Sequence, residues 1–354
     1  MKIAYAVCSL GLGHASRSVP IIKKLIEEGH EITILAHGRA KIFLEKIFDN
    51  FDNIDIIDLP DYPIEYSKSR AFFFPKIILS IPSIITSFAD EHQIFFHIHQ
   101  KKNFNLIISD NRYGIYNRNV PSFIITHQLR IMNPYRIRIL ESATMIYNSF
   151  ISRYFKKLIV PDFEYDSLSG DLSHNLKYID ISKISYIGPL SSYKKKEFNK
   201  DLDILISISG PEPQRTIFER LILKNLEKIK NKKYKIILGR PDLKNVNENI
   251  LNFASSDEME ILFNRAKIIV ARSGYSTIMD LYHTGGKPFF IPTPAQPEQE
   301  YLAIYLNKKG ISGYKNQEDF DFDDLLNYNY RGFEGGYDTS ISVKKFIEEV
   351  ITNG

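Results

Sequence analysis

The chain has 354 residues, 44 % of them hydrophobic and 25 % charged, with a formal net charge of +4. That length suggests two domains with ample core, and so small a net charge gives no argument for a nucleic-acid partner. The single cysteine, Cys8, excludes an internal disulfide framework and suits a reducing compartment. No apolar run reaches the length of a spanning helix, and the short run Ile3 to Cys8 reads as a first strand, not as a secretion signal.

In chain order, Lys2 to Cys8 shows no polar alternation, as in a parallel strand buried on both faces. Ser9 to Gly13 is a turn. His14 to Glu28 places Val19, Ile22, Leu25 and Ile26 at helical spacing, and Gly29 ends it. Glu31 to Ala36 and Ile54 to Leu59 are strands around a helix over Ala40 to Phe48. This β-α-β-α-β order is one half of a doubly wound fold. Residues 63–104 read as mostly helical and contain an unusually apolar stretch, Ala71 to Phe88, with Lys76 as its one charge. Leu106 to Asp110 and Val120 to Thr126 are strands, the second followed by His127 and Gln128. A basic helical region spans 130–155, broken by Pro134. Over 130–157, Arg130, Arg136, Arg138, Arg153, Lys156 and Lys157 are balanced by Glu141 alone. Strands at Lys157 to Pro161 and Ile184 to Ile187 bracket an irregular polar stretch, and the charged run SSYKKKEFNKD from Ser191 reads as a linker.

A second series then starts. Asp203 to Ser207 is a strand, Ser209-Gly210-Pro211 a turn, Thr216 to Ile229 a helix, and Tyr234 to Leu238 a strand. Ile250 to Phe253 is a short strand and Asp257 to Ala266 a helix. Next comes AKIIVARSGYSTIMDLYHTGGKPFFIPTPAQPEQ, the most informative stretch of the chain. It reads as a strand to Ala271, a turn at Arg272-Ser273-Gly274, a helix from Ser276 to His283 and a strand from Phe289 to Pro292. A loop with Gln296, Glu298 and Gln299 closes it. A short βα turn opening a helix suits an anion such as a phosphate. Val343, Phe346, Ile347 and Val350 mark a terminal amphipathic helix.

The pattern RSG-x-x-T-x-x-D, then GKP, then a proline-flanked loop ending in glutamine, resembles the donor half of GT-B glycosyltransferases. The nearest resemblance is to the group of UDP-N-acetylglucosamine transferases that act on the lipid-linked peptidoglycan precursor. The resemblance implies an α/β fold of two Rossmann-like domains facing a common cleft. The acceptor domain would span residues 1–192 and the nucleotide-sugar domain 200–336, with a helix over 337–354 crossing back. It implies donor contacts at Ser209, Gly210, Phe253, Arg272, Ser273, Gly274, Thr277, Asp280, Glu298 and Gln299. Phe253 would precede the base-binding backbone, but plain core is an equal reading. Arg272 would offset diphosphate charge, or only cap its strand. Asp280 stands where the group usually has glutamate for the ribose hydroxyls, and Glu298 where it usually has glutamine for the sugar.

On the acceptor side the resemblance implies Gly11, Gly13, His127 and Gln128 near the acceptor. It makes His14 the base for an acceptor hydroxyl and Asp110 its partner. Asp110 as a helix N-cap near Arg112 is the competing reading. Gly11-Leu12-Gly13 is also compatible with a dinucleotide turn, but no acid follows the second strand, where Arg39 stands instead. Two D-x-D spacings, Asp201/Asp203 and the run Asp319, Asp321, Asp323, read as solvated or capping acids, so no metal or cofactor is expected. The expected activity is an inverting transfer from a nucleotide-sugar, UDP-linked, to a glycan or lipid-linked acceptor. The setting is cytoplasmic. Residues 71–88 read either as helices packed in the first domain or as an apolar patch that, beside the basic residues of 130–157, touches an anionic membrane face. A UDP-sugar epimerase or hydrolase of the same fold, and a non-catalytic partner subunit, are the alternatives.

Overall fold

The computed structural model describes all residues except 10, 61, 63–69, 134–136, 241–242, 245–246 and 353–354; the side chains of 70–82, 84, 85 and 326 also lie outside the description. The chain divides into two compact units. The first contains most of the chain up to Ser192 together with the C-terminal segment from Thr339, and the second contains Tyr193–Asp338.

The first unit is built on a seven-stranded sheet of order β3-β2-β1-β4-β5-β6-β7, with every neighbouring pair parallel. Its strands are β1 (Lys2–Val7), β2 (Glu31–Ala36), β3 (Ile54–Asp58), β4 (Leu106–Asp110), β5 (Ser122–Ile125), β6 (Lys157–Val160) and β7 (Ile184–Tyr186). β1 is buried from Ile3 to Val7 because helices cover both sides of a parallel sheet. Its helices are α1 (Leu12–Glu27), α2 (Gly38–Phe48), α3 (Arg70–Lys102), α4 (Arg138–Ile151) and α10 (Thr339–Ile347). The expected break at Pro134, the side chain of Arg136 and most of the Ala71 to Phe88 stretch lie outside the described residues or side chains.

Pro20 lies inside α1. A proline has no N–H, so the carbonyl four residues earlier loses its helical partner. That carbonyl belongs to Ser16, and Ser192 Oγ donates to it at 2.8 Å. The same segment holds α10, with Ser191 N donating to Thr339 Oγ1 at 3.0 Å and Ser342 Oγ to Pro189 O at 2.9 Å. α10 also packs on α1.

The second unit has a six-stranded parallel sheet of order β10-β9-β8-β11-β12-β13. The strands are β8 (Leu202–Ser207), β9 (Tyr234–Ile237), β10 (Ile250–Leu251), β11 (Ala266–Ala271), β12 (Pro288–Phe290) and β13 (Gly313–Tyr314). The helices are α5 (Gln214–Lys224), α6 (Ser256–Arg265), α7 (Tyr275–Thr284), α8 (Pro297–Lys308) and the single turn α9 (Asp323–Leu326). Its core joins Ile204, Ile206, Phe218, Ile236, Val270 and Ile291 from β8, α5, β9, β11 and the end of β12. The expected loop through Glu298 and Gln299 is instead the first turn of α8. Pro297 opens that helix, a position where its fixed φ and missing N–H are tolerated. α6 starts with a complete capping box between Ser255 and Glu258.

Candidate active site

Open parallel sheets bind ligands beyond the carboxyl ends of their strands, where strand order reverses. In the first unit that point lies between β1 and β4. Val7 pairs with Asp110 in register, so both strands end at the same level. Cys8 N donates to Asp110 O at 3.0 Å just beyond. The chain then turns through Gly11, at φ 128°, into α1. That φ is one an L side chain rarely adopts, which is what the turn requires of glycine. Gly13, placed in the turn by its sequence, already lies in the first turn of α1.

His14, Arg17 and Ser18 are spaced to share one face of α1, and that face meets Asp110. His14 Nδ1 lies 2.8 Å from Asp110 Oδ1. Arg17 grips both oxygens of the same carboxylate, Nε to Oδ2 at 2.8 Å and Nη2 to Oδ1. Arg17 Nη2 is also 2.9 Å from His14 Nδ1, and its Nη1 is 3.3 Å from His127 Nδ1. Ser18 Oγ lies 3.3 Å from Asp110 Oδ2. Arg17, Asp110 and His127 are buried, whereas the His14 side chain is 17 % exposed. Asp110 caps no helix: among the described residues no helix follows β4 until α4, and its carboxylate is taken up by α1.

Burial alone would raise the Asp110 carboxyl, but the Arg17 guanidinium and then His14 hold it well below the usual carboxylate range. Burial, and then the Arg17 charge, push the His14 imidazole below its ordinary value against the pull of Asp110. The neutral imidazole is thereby favoured. In the tautomer whose Nδ1 donates to Asp110, Nε2 is the basic nitrogen. Such a pair can take a proton from a hydroxyl. Arg17 was not singled out from the sequence, although its spacing of three from His14 was visible there. Gln128 follows His127, and its N donates to Thr126 Oγ1 at 3.2 Å.

In the second unit the reversal lies between β8 and β11. The loop after β8 exposes Ser209 and Gly210, the latter at φ 116°. The turn after β11 leads through Ser273 and Gly274 into α7. Among the described residues no side chain caps α7, and its first turn holds no acid. That first turn, with Thr277 in it, suits an anion. Ser273 Oγ donates to Gln299 O at 2.7 Å, and Gln299 Oε1 accepts from Thr293 N at 2.9 Å, so Gln299 is fixed against this turn. Glu298 is half-buried beside it. Asp280 is half-buried on α7, close enough to Tyr193 to help burial raise that phenol. Phe253 is 42 % exposed, which rules out the plain-core reading.

Arg272 points into the unit. Its guanidinium donates to the carbonyls of Ile291 (2.9 Å), Pro292 (3.1 Å), Gln214 (3.2 Å) and Ser209 (3.4 Å), and to Gln317 Oε1. It also lies 4.3 Å from the Phe218 ring centroid. Burial lowers its pKa to about 9. Its five donors are thus engaged internally, and charge is what it has left to offer an anion. Sequence reasoning missed Thr293, which lies between two prolines. Its hydroxyl is buried, has no partner among the described residues, and lies 3.5 Å from where a Cβ on Gly210 would be. Both D-x-D acids nearest a strand are committed elsewhere. Asp201 is paired with Arg265 (2.6 Å) and Asp203 with Lys267 (2.7 Å), at the start of β8.

Residues 214–335 match the glycosyltransferase family 28 C-terminal domain, and residues 1–120 match glycosyl transferase family 1. An uncharacterized glycosyltransferase of Methanosarcina mazei is 23 % identical over 332 residues, covering 88 % of this chain and 84 % of its own. Among solved structures, MurG of Acinetobacter baumannii superposes with a TM-score of 0.57 at 13 % identity, over 99 % of both chains. The spinosyn rhamnosyltransferase SpnG complexed with thymidine diphosphate gives 0.59 at 11 % identity, over 99 % of this chain and 96 % of its own. With the two switch-point sheets and their ordered turns, these findings show that the chain is an enzyme of the GT-B glycosyltransferase superfamily.

Proposed function

We propose that this enzyme moves a sugar from a nucleotide-sugar, UDP-linked as in UDP-N-acetylglucosamine, to a hydroxyl of a glycan or lipid-linked acceptor, with inversion and without a metal. The observation that carries the reading is the His14, Asp110 and Arg17 cluster at the end of β1 and β4. His14 Nε2 takes the proton of the acceptor hydroxyl. The hydroxyl oxygen bonds to the anomeric carbon as the bond from that carbon to the diphosphate breaks, and the diphosphate leaves with the electron pair. The turn into α7, the loop at Ser209 and Gly210, and the Thr293 hydroxyl supply N–H and O–H donors for that diphosphate. Asp280 serves the ribose hydroxyls and Gln299 the sugar. We place the enzyme at the cytoplasmic face of a membrane that presents the acceptor. None of its described helices is long and apolar enough to cross one.

The test has two arms. A thermal-shift screen against UDP-, GDP- and dTDP-sugars identifies the donor, since a ligand raises apparent stability by mass action. Nucleotide release is then measured with and without acceptor glycans. Release that depends on acceptor and falls about 10²–10⁴-fold in His14→Ala supports the reading. Wild-type turnover in His14→Ala removes the base, and equal release without acceptor makes the enzyme a hydrolase.

A further inference from the structure

Helix α4 turns Glu141 and Asn148 inward and several large apolar residues outward. Glu141, Met145 and Asn148 are buried, and the polar pair is held: Asn148 Nδ2 donates to Leu129 O at 2.8 Å, and Asn133 Nδ2 to Glu141 Oε1 at 3.4 Å. The outer side presents Ile139, Ile146 and Phe150, which are 79 %, 53 % and 51 % exposed. Their spacings of seven and four align them on one stripe. Ile137, just before the helix, is exposed as well. Single exposed apolar residues are ordinary, but a row of large ones marks a contact surface.

Charge indicates the partner. Arg138, Arg153 and Lys156 are exposed at the two ends of the stripe, and the Arg153 guanidinium lies 5.6 Å from the Phe150 ring centroid. The only acid between Ile137 and Lys157 is Glu141, which is buried. A second copy meeting this face by two-fold symmetry would set like charges against each other. An apolar stripe flanked by cations, on a segment that exposes no acid of its own, fits an anionic lipid surface.

We propose that the outer face of α4 docks the enzyme on an anionic bilayer. Ile139, Ile146 and Phe150 enter the interfacial layer, and Arg138, Arg153 and Lys156 meet lipid phosphates. This names the membrane contact of the acceptor reading above and rests on that reading for its purpose. Vesicle binding needs neither donor nor acceptor, so the two can fail separately.

The full chain is sedimented with vesicles of phosphatidylcholine alone and with vesicles containing phosphatidylglycerol. Binding at least about tenfold stronger to the anionic vesicles is expected, at roughly fivefold per cation near the surface. Ile139→Ser/Ile146→Ser/Phe150→Ser removes the binding. Arg153→Glu/Lys156→Glu removes the anionic preference, while circular dichroism and thermal melts stay at wild type. Equal sedimentation with both vesicles overturns the proposal, as does undiminished binding of the triple-serine variant. So does a wild-type dimer that the triple-serine variant converts to monomer, which would make this face an interface between copies.

Discussion

Removing the charge of Arg17 should move the acid limb of catalysis upward. Arg17→Met deletes a guanidinium whose Nη2 lies 2.9 Å from His14 Nδ1 and leaves Asp110 beside the imidazole. Two unit charges at about 3 Å repel by roughly 5–6 kcal/mol at an effective dielectric of about 20. The guanidinium charge is spread over three nitrogens and already meets Asp110, so about 1.5–3 kcal/mol is expected. That is a rise of about one to two pH units in the His14 titration. In the wild type His14 lies below its ordinary value, so kcat/KM should stay level down through about pH 6.5 before it falls. In Arg17→Met the fall should begin about one to two units higher. The assay is the pH profile of acceptor-dependent nucleotide release. Leaving Asp110 buried without its cation also costs about 3–5 kcal/mol of stability, so each profile is paired with a melt. Arg17→Lys keeps the charge while losing the two-point grip. It should hold the limb near wild type with reduced kcat. A folded Arg17→Met whose limb coincides with wild type would refute the electrostatic role.

Asp110→Asn should lower kcat by about 10²–10⁴-fold, because the amide no longer fixes the proton on His14 Nδ1; steady-state rates at saturating donor check this. The depressed Asp110 carboxyl contributes stability that is complete above its ordinary value of about 4 and is lost as pH falls through its folded value. His14, lowered in the fold, makes stability rise with pH up to about 6.5. Melting temperature should therefore climb across the acid range in wild type. Thr293→Val replaces an unpartnered buried hydroxyl with an isosteric methyl, so it should leave stability level or slightly higher while raising donor KM several-fold; an unchanged donor KM argues against that hydroxyl as a ligand. Ser192→Ala leaves the Ser16 carbonyl without its donor and should cost about 1 kcal/mol in urea melts.

The scaffold was legible because parallel strands announce themselves. Continuous apolar runs such as Ile3 to Val7 and Leu106 to Ile108 mark the strands along the chain and, with the turns beyond them, the ends at which ligands gather. His14 and Asp110 could be picked out for the same reason, since Asp110 ends β4 and His14 stands in the first turn of the helix after β1. Arg17 was not, because spacing on α1 says which residues share a face and not which face meets β4. α8 was missed because Pro297 can stop a loop or open a helix, and only the buried Leu302, Ala303 and Leu306 decide between them.

Arg272 shows how a side chain's partners can lie outside anything its local motif displays. An arginine before a phosphate turn invites an ion pair with the diphosphate, and local sequence offers no objection. Its actual acceptors, Gln214, Ile291, Pro292 and Gln317, are brought to it by the order of β8, β11, β12 and β13, which no local pattern contains. The guanidinium, itself just past β11, thereby ties together the segments after four neighbouring strands. Arg272→Lys has at most three donors in place of five, so it strands buried carbonyls at about 1–3 kcal/mol each. Donor binding should then fall because the turn loosens, with the melt of the second unit dropping in step. A variant with an unchanged melt and a specific loss of donor affinity would return Arg272 to the diphosphate.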